Sequence, residues 1–256
     1  MRVCVTSGPL GSLLGATVTS AVSGSMSAAV GLHRRLRAVA PLPAPPPAWR
    51  GSGPVVLVGG LCTTDAVLQP MRLWLERLGY QVLVHTAGVG LGCGARGVEA
   101  VRDRLDEAAD LDRNADGVRL VGYSRGGQFA RVAAAGRPVR ALVTIGTPFE
   151  LYPVGAGALL PVAAVAAAGT LDVAPLATVQ CLFGSCCATF RRSLRLPVDG
   201  PFTSIYSRRD KVVPWRTSVD PVADNVEVEA GHLGLVSSPT VLQIIAETLA
   251  PAAVAA

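Results

Sequence analysis

Apolar runs alternate with amphipathic stretches from residue 54 to about residue 250, and this pattern predicts a series of strands and helices. Residues 55–58 read Val-Val-Leu-Val, a continuous apolar run typical of a strand buried on both faces. Further strands are predicted at 81–84, 118–121, 141–145, 203–206 and 225–228. Helices are predicted at 65–78, 98–108, 126–135 and 240–249. Strands that alternate with helices indicate an α/β fold, with a mostly parallel central sheet and helices on both of its faces.

The helix at 65–78 has recognisable start and stop signals. Asp65 is expected to cap its first turn, and Gly79 is expected to end it. The apolar face that should meet the core is formed by Leu68, Met71, Leu75 and Leu78.

The pattern divides the chain into an N-terminal segment at 1–53 and one α/β domain at 54–256. The N-terminal segment ends in a Pro-rich stretch, P-L-P-A-P-P-P, which is typical of a stiff linker. Within the domain, residues 149–200 interrupt the rhythm and are rich in Ala, Gly, Val and Pro, so we expect a cap insertion there. The apolar run at 154–168 is too short to span a membrane, and contact of the cap with a membrane surface is left open.

The first 37 residues do not follow the order of a standard signal peptide. The basic cluster at 33–37 comes after the uncharged stretch at 9–32, whereas a signal peptide has its basic residues first. No transmembrane span and a cytoplasmic location are therefore expected. Secretion is the alternative if this segment is a poor signal peptide or if translation starts further downstream.

The composition argues against a disordered chain and against a nucleic-acid-binding protein. Half of the residues are apolar and 16% are charged, which excludes a disordered chain. The net charge of +5 rests almost wholly on scattered arginines without a basic stripe, so nucleic-acid binding is not expected.

The six cysteines show no C-x-x-C spacing, so neither a metal site nor a redox motif is predicted. Buried or incidental thiols are the favoured interpretation. A Cys181–Cys186 or a Cys62–Cys93 bridge is the alternative.

The third predicted strand runs directly into Gly122-Tyr123-Ser124-Arg125-Gly126, and a helix follows. This is a G-x-S-x-G motif in the strand–turn–helix context that a nucleophile elbow requires. The glycines are needed because a side chain beside the sharp turn would clash with the neighbouring strand and helix. Ser124 is therefore the candidate nucleophile, and the alternative is an incidental serine in a Gly-rich turn.

A serine nucleophile needs a base and an acid that orients the base, here in the chain order serine, acid, histidine. His232 is the only histidine after Ser124, and it follows a predicted strand. Asp210 follows the strand at 203–206 and is the preferred acid, with Glu150 and Asp220 as rivals. Backbone N–H groups of Leu61, after the first strand, and of Arg125 are the predicted oxyanion donors.

Five segments together resemble the α/β-hydrolase-fold serine esterases and lipases, especially small bacterial and actinobacterial lipase-like members. They are V-L-V-G-G-L, V-G-Y-S-R-G-G, L-V-T-I-G-T-P-F, S-I-Y-S-R-R-D-K-V-V-P-W and G-H-L-G-L. The resemblance covers roughly three quarters of the chain, from residue 54 to about residue 250. Two departures are visible, because many such lipases have His-Gly where this chain has Gly59-Gly60, and often a histidine where it has Tyr123.

The resemblance implies hydrolysis of carboxylic esters with hydrophobic acyl groups through an acyl-serine, without a cofactor. A thioesterase or acyltransferase that acts on carrier- or CoA-bound acyl chains is the alternative, since it uses the same intermediate. A non-catalytic binding protein on the same scaffold is a lesser alternative. The expected partner is a small or lipid-like acyl substrate, and the oligomeric state is left open.

Other residues are candidates for contact with the substrate, or resemble functional motifs that are not expected to act here. Leu160 and Leu176 in the cap, and Trp215 beside the predicted acid, are the candidate substrate-binding residues. The G-x-G-x-x-G pattern at 92–97 follows the second strand, not the first, and is expected to be a loop at the rim of the site instead of a dinucleotide site. His85 is expected to be a core or rim histidine.

Overall fold

The computed structural model of the chain describes residues 44–61, 63–86, 92–112, 117–150, 176–182, 185 and 187–251. Most of the N-terminal segment predicted at 1–53 lies outside the described residues. Positions 151–175 of the predicted cap, which include Leu160, also lie outside them.

Six parallel strands form one sheet within the described part of the chain. They are β1 (Pro54–Val58), β2 (Gln81–His85), β3 (Arg119–Tyr123), β4 (Ala141–Ile145), β5 (Phe202–Tyr206) and β6 (Asp224–Glu227). The order across the sheet is β2-β1-β3-β4-β5-β6, and every neighbouring pair is parallel. The α/β architecture and the positions of all six predicted strands are confirmed, each to within two residues.

Helices cover both faces of the sheet. They are α1 (Asp65–Leu78), α2 (Gly94–Leu111), α3 (Arg125–Ala134), α4 (Val179–Leu182), α5 (Ala188–Ser193) and α6 (Pro239–Leu249). Alternate residues of a strand enter two separate cores, because successive side chains point to opposite faces. In β1, Val56 and Val58 pack with α2 and α3, whereas Val55 and Leu57 pack with α1 and α6.

Two helix starts differ from the sequence prediction. Asp65 is the first residue of α1 instead of its cap; Thr64 precedes the helix, and Thr86 donates to the Asp65 carboxylate at 3.5 Å. The end of α1 is as predicted, since Gly79 adopts a left-handed φ of 102°. Helix α2 begins at Gly94, inside the stretch predicted as a loop.

Close packing accounts for the glycines at the start of α2. A Cβ on Gly94 would lie 2.7 Å from the ring of Phe190, and one on Gly97 would lie 2.8 Å from the ring of Phe129. The helix start is therefore set by tertiary contacts that the local pattern does not reveal. These glycines make room for aromatic rings of the protein itself, which agrees with the prediction that the pattern at 92–97 is not a dinucleotide site.

The end of the predicted linker packs against the domain. Trp49 makes an edge contact with Trp74 of α1, with ring centroids 6.3 Å apart. The fully buried Arg119 of β3 donates both to the carbonyl of Ser52 at 3.0 Å and to that of Leu249 at 3.1 Å. Arg119 thus joins the chain before β1 to the C-terminal end of α6, where a cation is favoured.

The strand order reverses between β1 and β3, which are neighbours in the sheet although β2 lies between them in sequence. In an open α/β sheet, ligands bind beside the carboxyl ends of the strands at such a reversal. The loops that follow β1 and β3 begin at Gly59 and Ser124, so the candidate site is expected at this edge.

Candidate active site

Ser124 occupies a strained turn between β3 and α3. Its φ of 54° and ψ of −129° make it the only non-glycine residue with positive φ in the described ranges. Its backbone N–H donates to the carbonyl of Ile145 at 2.8 Å, and its own carbonyl accepts from Gly127 at 3.0 Å. A conformation of this kind costs about 1–3 kcal/mol and persists only where the surroundings hold it.

The glycines of the motif are sterically required, as the sequence predicts. A Cβ on Gly126 would lie 2.4 Å from the carbonyl oxygen of Val58, and one on Gly122 would lie 2.4 Å from the Cα of Gly127. Both contacts are with backbone, which cannot move aside without disturbing β1 or α3. The elbow therefore holds Ser124 directly over the end of β3.

His232 lies between Ser124 and Asp210 in one hydrogen-bonded chain. Nε2 of His232 is 3.1 Å from Oγ of Ser124, and Nδ1 of His232 is 2.6 Å from Oδ2 of Asp210. All three residues are buried, with exposed fractions of 8%, 8% and 9% for Ser124, His232 and Asp210. The three residues named from the sequence thus meet in one site, although 108 positions separate Ser124 from His232.

Asp210 is held by the backbone of its own loop. Its Oδ1 accepts from the N–H groups of Val212 and Val213, both at 2.8 Å, which leaves Oδ2 for His232. The neighbouring cation Arg209 turns outward and pairs with Glu229 at 3.0 Å on the surface. Asp210 is therefore an oriented, buried carboxylate instead of a solvated turn residue.

Tyr123 contacts His232 through both its ring and its hydroxyl group. Its ring lies against the imidazole, with centroids 5.1 Å apart, and its hydroxyl donates to the backbone carbonyl of His232 at 3.0 Å. Burial, and to a smaller extent the charge of Asp210, raise the pKa of Tyr123, so the hydroxyl remains a donor at ordinary pH. In the sequence Tyr123 stands out only as a departure from the resemblance, and no local pattern predicts this contact.

Gly146, which follows β4, is a second residue of the site that is not predicted from the sequence. A Cβ at this position would lie 3.3 Å from Oδ2 of Asp210 and 3.3 Å from Nδ1 of His232. Its φ of 54° is also in the left-handed region. A glycine at the carboxyl end of a strand was the available signal, because that edge is where the site forms.

The loop after β1 lies against the elbow. A Cβ on Gly60 would be 2.8 Å from Cβ of Ser124 and 2.9 Å from the backbone nitrogen of Arg125. Only a glycine allows this approach, which brings the backbone of residue 60 beside the start of α3. The Leu61 side chain is 46% exposed.

Comparison with known proteins gives no matching family profile and no match among curated proteins. Solved structures do match. An α/β-hydrolase enzyme from a sediment metagenome of the Mar Chica lagoon, Morocco, is 22% identical with a TM-score of 0.53, covering 77% of this chain and 90% of that one. A lipase-esterase related protein from Clostridium acetobutylicum is 12% identical with a TM-score of 0.54, covering 77% and 94%. The chain has the α/β-hydrolase fold. An esterase domain from Rhodothermus marinus also matches, at 18% identity and a TM-score of 0.50, covering 81% and 87%.

The rival acids occupy other positions in this α/β-hydrolase fold. Asp220 is buried in an ion pair with Arg131 of α3, and its other oxygen accepts from the N–H of Val222 at 3.0 Å. Glu150 is exposed and lies 3.5 Å from Arg195. Neither contact involves His232, so Asp210 is the acid that the geometry favours.

Trp215 and Leu176 are the candidate substrate contacts that lie among the described residues. Trp215 stacks on Tyr206, with centroids 5.7 Å apart, and the guanidinium groups of Arg208 and Arg216 lie 4.7 and 4.6 Å from its ring centre. A substrate contact by Trp215 stays a prediction. Leu176 is buried, with 9% of its surface exposed.

His85 ends β2, which is separated from β3 by β1, and its pKa is lowered by burial and by the charge of Arg104. Its backbone carbonyl accepts from Gly59 at 2.8 Å, which supports the start of the loop after β1. This position fits the predicted core or rim histidine.

Proposed function

We propose that the protein is a serine hydrolase that cleaves carboxylic esters with hydrophobic acyl groups through an acyl-serine intermediate. The observation that carries the proposal is the hydrogen-bonded chain from Ser124 through His232 to Asp210, with Ser124 on a strained turn at the start of a helix. A structural role alone gives no reason to keep a strained serine in contact with a buried histidine–carboxylate pair.

In this proposal, the Asp210 carboxylate accepts from Nδ1–H of His232, so Nε2 is left as the base. His232 takes the proton of Ser124 as Oγ attacks the acyl carbon, and it then gives that proton to the departing alkoxide. Water then attacks the acyl carbon of the acyl-serine in the same way, with His232 as the base. The carboxylic acid is released, and Ser124 regains its proton. The N–H groups of Leu61 and Arg125 are proposed to hold the oxyanion, which the approach of the Gly60 loop to the elbow supports.

Three exposed apolar side chains support an apolar substrate. Leu61, Val212 and Leu233 are 46%, 62% and 44% exposed, and they follow β1, Asp210 and His232 respectively. Leu61 and Val212 thus lie on loops, and Leu233 in a short 3-10 helix, that carry parts of the proposed machinery. Apolar side chains at these places offer area to an acyl or alcohol group at about 25 cal/mol per Å² buried, but no hydrogen bonds to a sugar.

A thioesterase or acyltransferase with the same residues is the alternative, because an acyl-serine accepts either water or another nucleophile. The experiment that separates the candidates is a panel of p-nitrophenyl esters and acyl thioesters, assayed with and without an added alcohol. A fluorophosphonate probe tests catalysis itself, since a non-catalytic binding protein would leave Ser124 unlabelled.

We further propose that residues 54–256 form the hydrolase domain and that residues 149–200 form a cap, with Leu160 and Leu176 contacting the acyl chain. Of these two leucines, Leu176 lies among the described residues, and 9% of its surface is exposed. No helix in the described ranges is both long and apolar enough to cross a membrane. Contact of the cap with a membrane surface and a cytoplasmic location stay predictions.

We expect Leu176→Asp to lower kcat/KM selectively for long acyl chains while acetate esters are spared, because a carboxylate disfavours burial of an acyl chain. The measurement is kcat/KM across acyl lengths from two to about twelve carbons. Leu196→Asp is the matched control, since Leu196 lies in the same segment with 48% of its surface exposed. An equal loss at every length, or no loss, would place the acyl pocket elsewhere.

We expect Tyr123→Phe to lower kcat by about three- to tenfold with little change in KM, because the carbonyl of His232 loses its donor and the imidazole is less firmly held. Tyr80→Phe is the control, since Tyr80 also donates from a buried hydroxyl to a backbone carbonyl, that of Leu249, at 2.6 Å. Both variants should lose a similar amount of stability, about 1 kcal/mol, measured by urea unfolding. If kcat falls equally in both, Tyr123 does not position His232.

A further inference from the structure

Three buried cysteines from three separate segments meet beside the start of α2. Cys93 directly precedes α2, Cys181 lies in α4, and Cys187 directly precedes α5. Their sulfur atoms lie within 4.8 Å of one another, and Sγ of Cys93 is 3.4 Å from Sγ of Cys187. Cys62 and Cys186, which the two bridges considered from the sequence would use, lie outside the described residues. Neither of those bridges pairs Cys93 with Cys187.

We propose that Cys93 and Cys187 form a disulfide bond that joins the segment 176–194 to the start of α2. The two sulfur atoms face each other at hydrogen-bond distance, and an S–S bond of about 2.05 Å needs them to approach by roughly 1.4 Å. The site is independent of the proposed catalysis, because none of its sulfur atoms contacts Ser124, Asp210 or His232 in the hydrogen-bonded chain described above.

The surroundings of the cluster favour a neutral disulfide over a metal ion. Cys93, Cys181 and Cys187 are 3%, 6% and 2% exposed and belong to the apolar core that also contains Phe129 and Phe190. A structural zinc site takes four ligands and needs thiolates. Within the described residues, this cluster offers three, and the contact with Cys93 together with burial raises the pKa of Cys187, which disfavours its thiolate.

The bond would hold a segment whose described helices are short. Helices α4 and α5 contain four and six residues, whereas α2 contains 18 and is packed on the sheet. Other contacts already bring α5 to the start of α2, since the ring of Phe190 lies over the backbone of Gly94. On the other side of Cys93, the carbonyl of Gly92 accepts from the guanidinium of Arg125 at 3.0 Å. The crosslink would thus fix this segment to a part of the fold that contacts the residue after Ser124.

Formation of the bond requires a two-electron oxidant, for which we name a small-molecule disulfide such as oxidised glutathione. One cysteine thiolate attacks the S–S bond of the oxidant, forms a mixed disulfide and releases one thiol. The second cysteine then attacks the mixed disulfide, forms the protein S–S bond and releases the second thiol. Two S–H bonds of the protein are lost, and the oxidant leaves as two thiols. Because both sulfur atoms are buried, oxidation is expected while this region is open, during folding or local unfolding.

The first test maps the bond in the wild-type chain. The protein is refolded in a buffer of reduced and oxidised glutathione, remaining thiols are alkylated, and non-reduced digests are analysed by mass spectrometry. Trypsin cleavage after Arg77 and Arg96 isolates Cys93 in a peptide that has no other cysteine. The expected result is this peptide linked to Cys187, assigned by fragmentation. A link of Cys93 to Cys186 or Cys181, or complete alkylation of Cys93, would overturn the proposal.

The second test measures thermal unfolding with and without a phosphine reductant. The bond would close a loop whose ends are 94 positions apart, so we expect reduction to lower Tm by about 5 °C or more. Cys181→Ala is the matched control from the same cluster and should keep this shift. In the Cys181→Ala background, Cys187→Ala should abolish it. A metal analysis of the untreated protein accompanies both tests, and about one zinc ion per chain would identify the cluster as a metal site and overturn the disulfide.

Discussion

Replacing Ser124 with alanine is expected to lower kcat/KM by a factor of about 10⁴ or more and to abolish labelling by a fluorophosphonate probe. The oxygen that would form the acyl-enzyme is lost, whereas the neighbouring His232–Asp210 contact does not depend on it. The fold should be retained, because the backbone bonds of the elbow involve the N–H and carbonyl of residue 124 and not its side chain. The measurements are ester turnover, gel-based labelling and far-UV circular dichroism.

Two variants make this result specific. Ser238→Ala, in a partly exposed serine that makes no capping bond before α6, should keep wild-type labelling and turnover. Ser124→Gly should be as inactive as the alanine variant but no less stable, since glycine tolerates a φ of 54° without the steric cost that a Cβ brings. Labelling that persists in Ser124→Ala would mean that another nucleophile reacts, and the proposed mechanism would be wrong.

The sheet is predictable from the sequence because its strands are buried on both faces. The strands β1, β3 and β4 are buried at every position and mostly apolar, which leaves few alternatives to a central strand, and the segments between them have helical spacing. The start of α2 at Gly94 is not predicted from the sequence, because Gly94 and Gly97 look like loop residues in isolation. Their small size is explained only by the rings of Phe190 and Phe129, which reach them from distant segments.

The proposed triad is predictable for a different reason. A parallel sheet places the carboxyl ends of its strands at one edge, so residues that follow β3, β5 and β6 are expected to meet even though the chain separates them widely. Chain order and the rarity of histidine then reduce the choice to Ser124, Asp210 and His232. No comparable rule predicts the contact of Tyr123 with His232 or the proposed pairing of Cys93 with Cys187. They depend on side chains that are 109 and 94 positions apart and carry no local signal.

A buried ion pair holds α3, the helix that begins beside Ser124, to the loop between β5 and β6. Arg131 and Asp220 form the pair, with side-chain exposures of 1% and 5%. Arg131 also donates to the carbonyl of Leu196 at 3.2 Å and lies over the rings of Phe149 and Phe202. From the sequence Asp220 is a rival acid, whereas in the structure it is buried in this ion pair.

We expect Asp220→Asn to lower the free energy of unfolding by about 3 kcal/mol or more, because it leaves the buried charge of Arg131 without its counter-ion. The asparagine retains an oxygen for the N–H of Val222, so the loss is assigned mainly to the charge. The measurement is urea unfolding followed by circular dichroism. Asp106→Asn is the control, since Asp106 pairs with Arg137 at the surface, where 65% and 36% of the two side chains are exposed, and it should lose less than about 1 kcal/mol.

A variant that lacks both charges shows whether Asp220→Asn loses stability through the missing counter-ion or through lost packing. Arg131→Met combined with Asp220→Asn leaves no buried charge at this place, and an apolar replacement of a buried pair is often close to neutral. The double variant should therefore regain at least half of the stability that Asp220→Asn loses. The contacts of the pair described here do not include Ser124, Asp210 or His232. Turnover of the double variant at low temperature should therefore stay within about threefold of the wild type, whereas Asp220→Asn should lose activity along with its folded population. If Asp220→Asn costs no more than Asp106→Asn, water reaches Arg131, and the pair does not anchor α3.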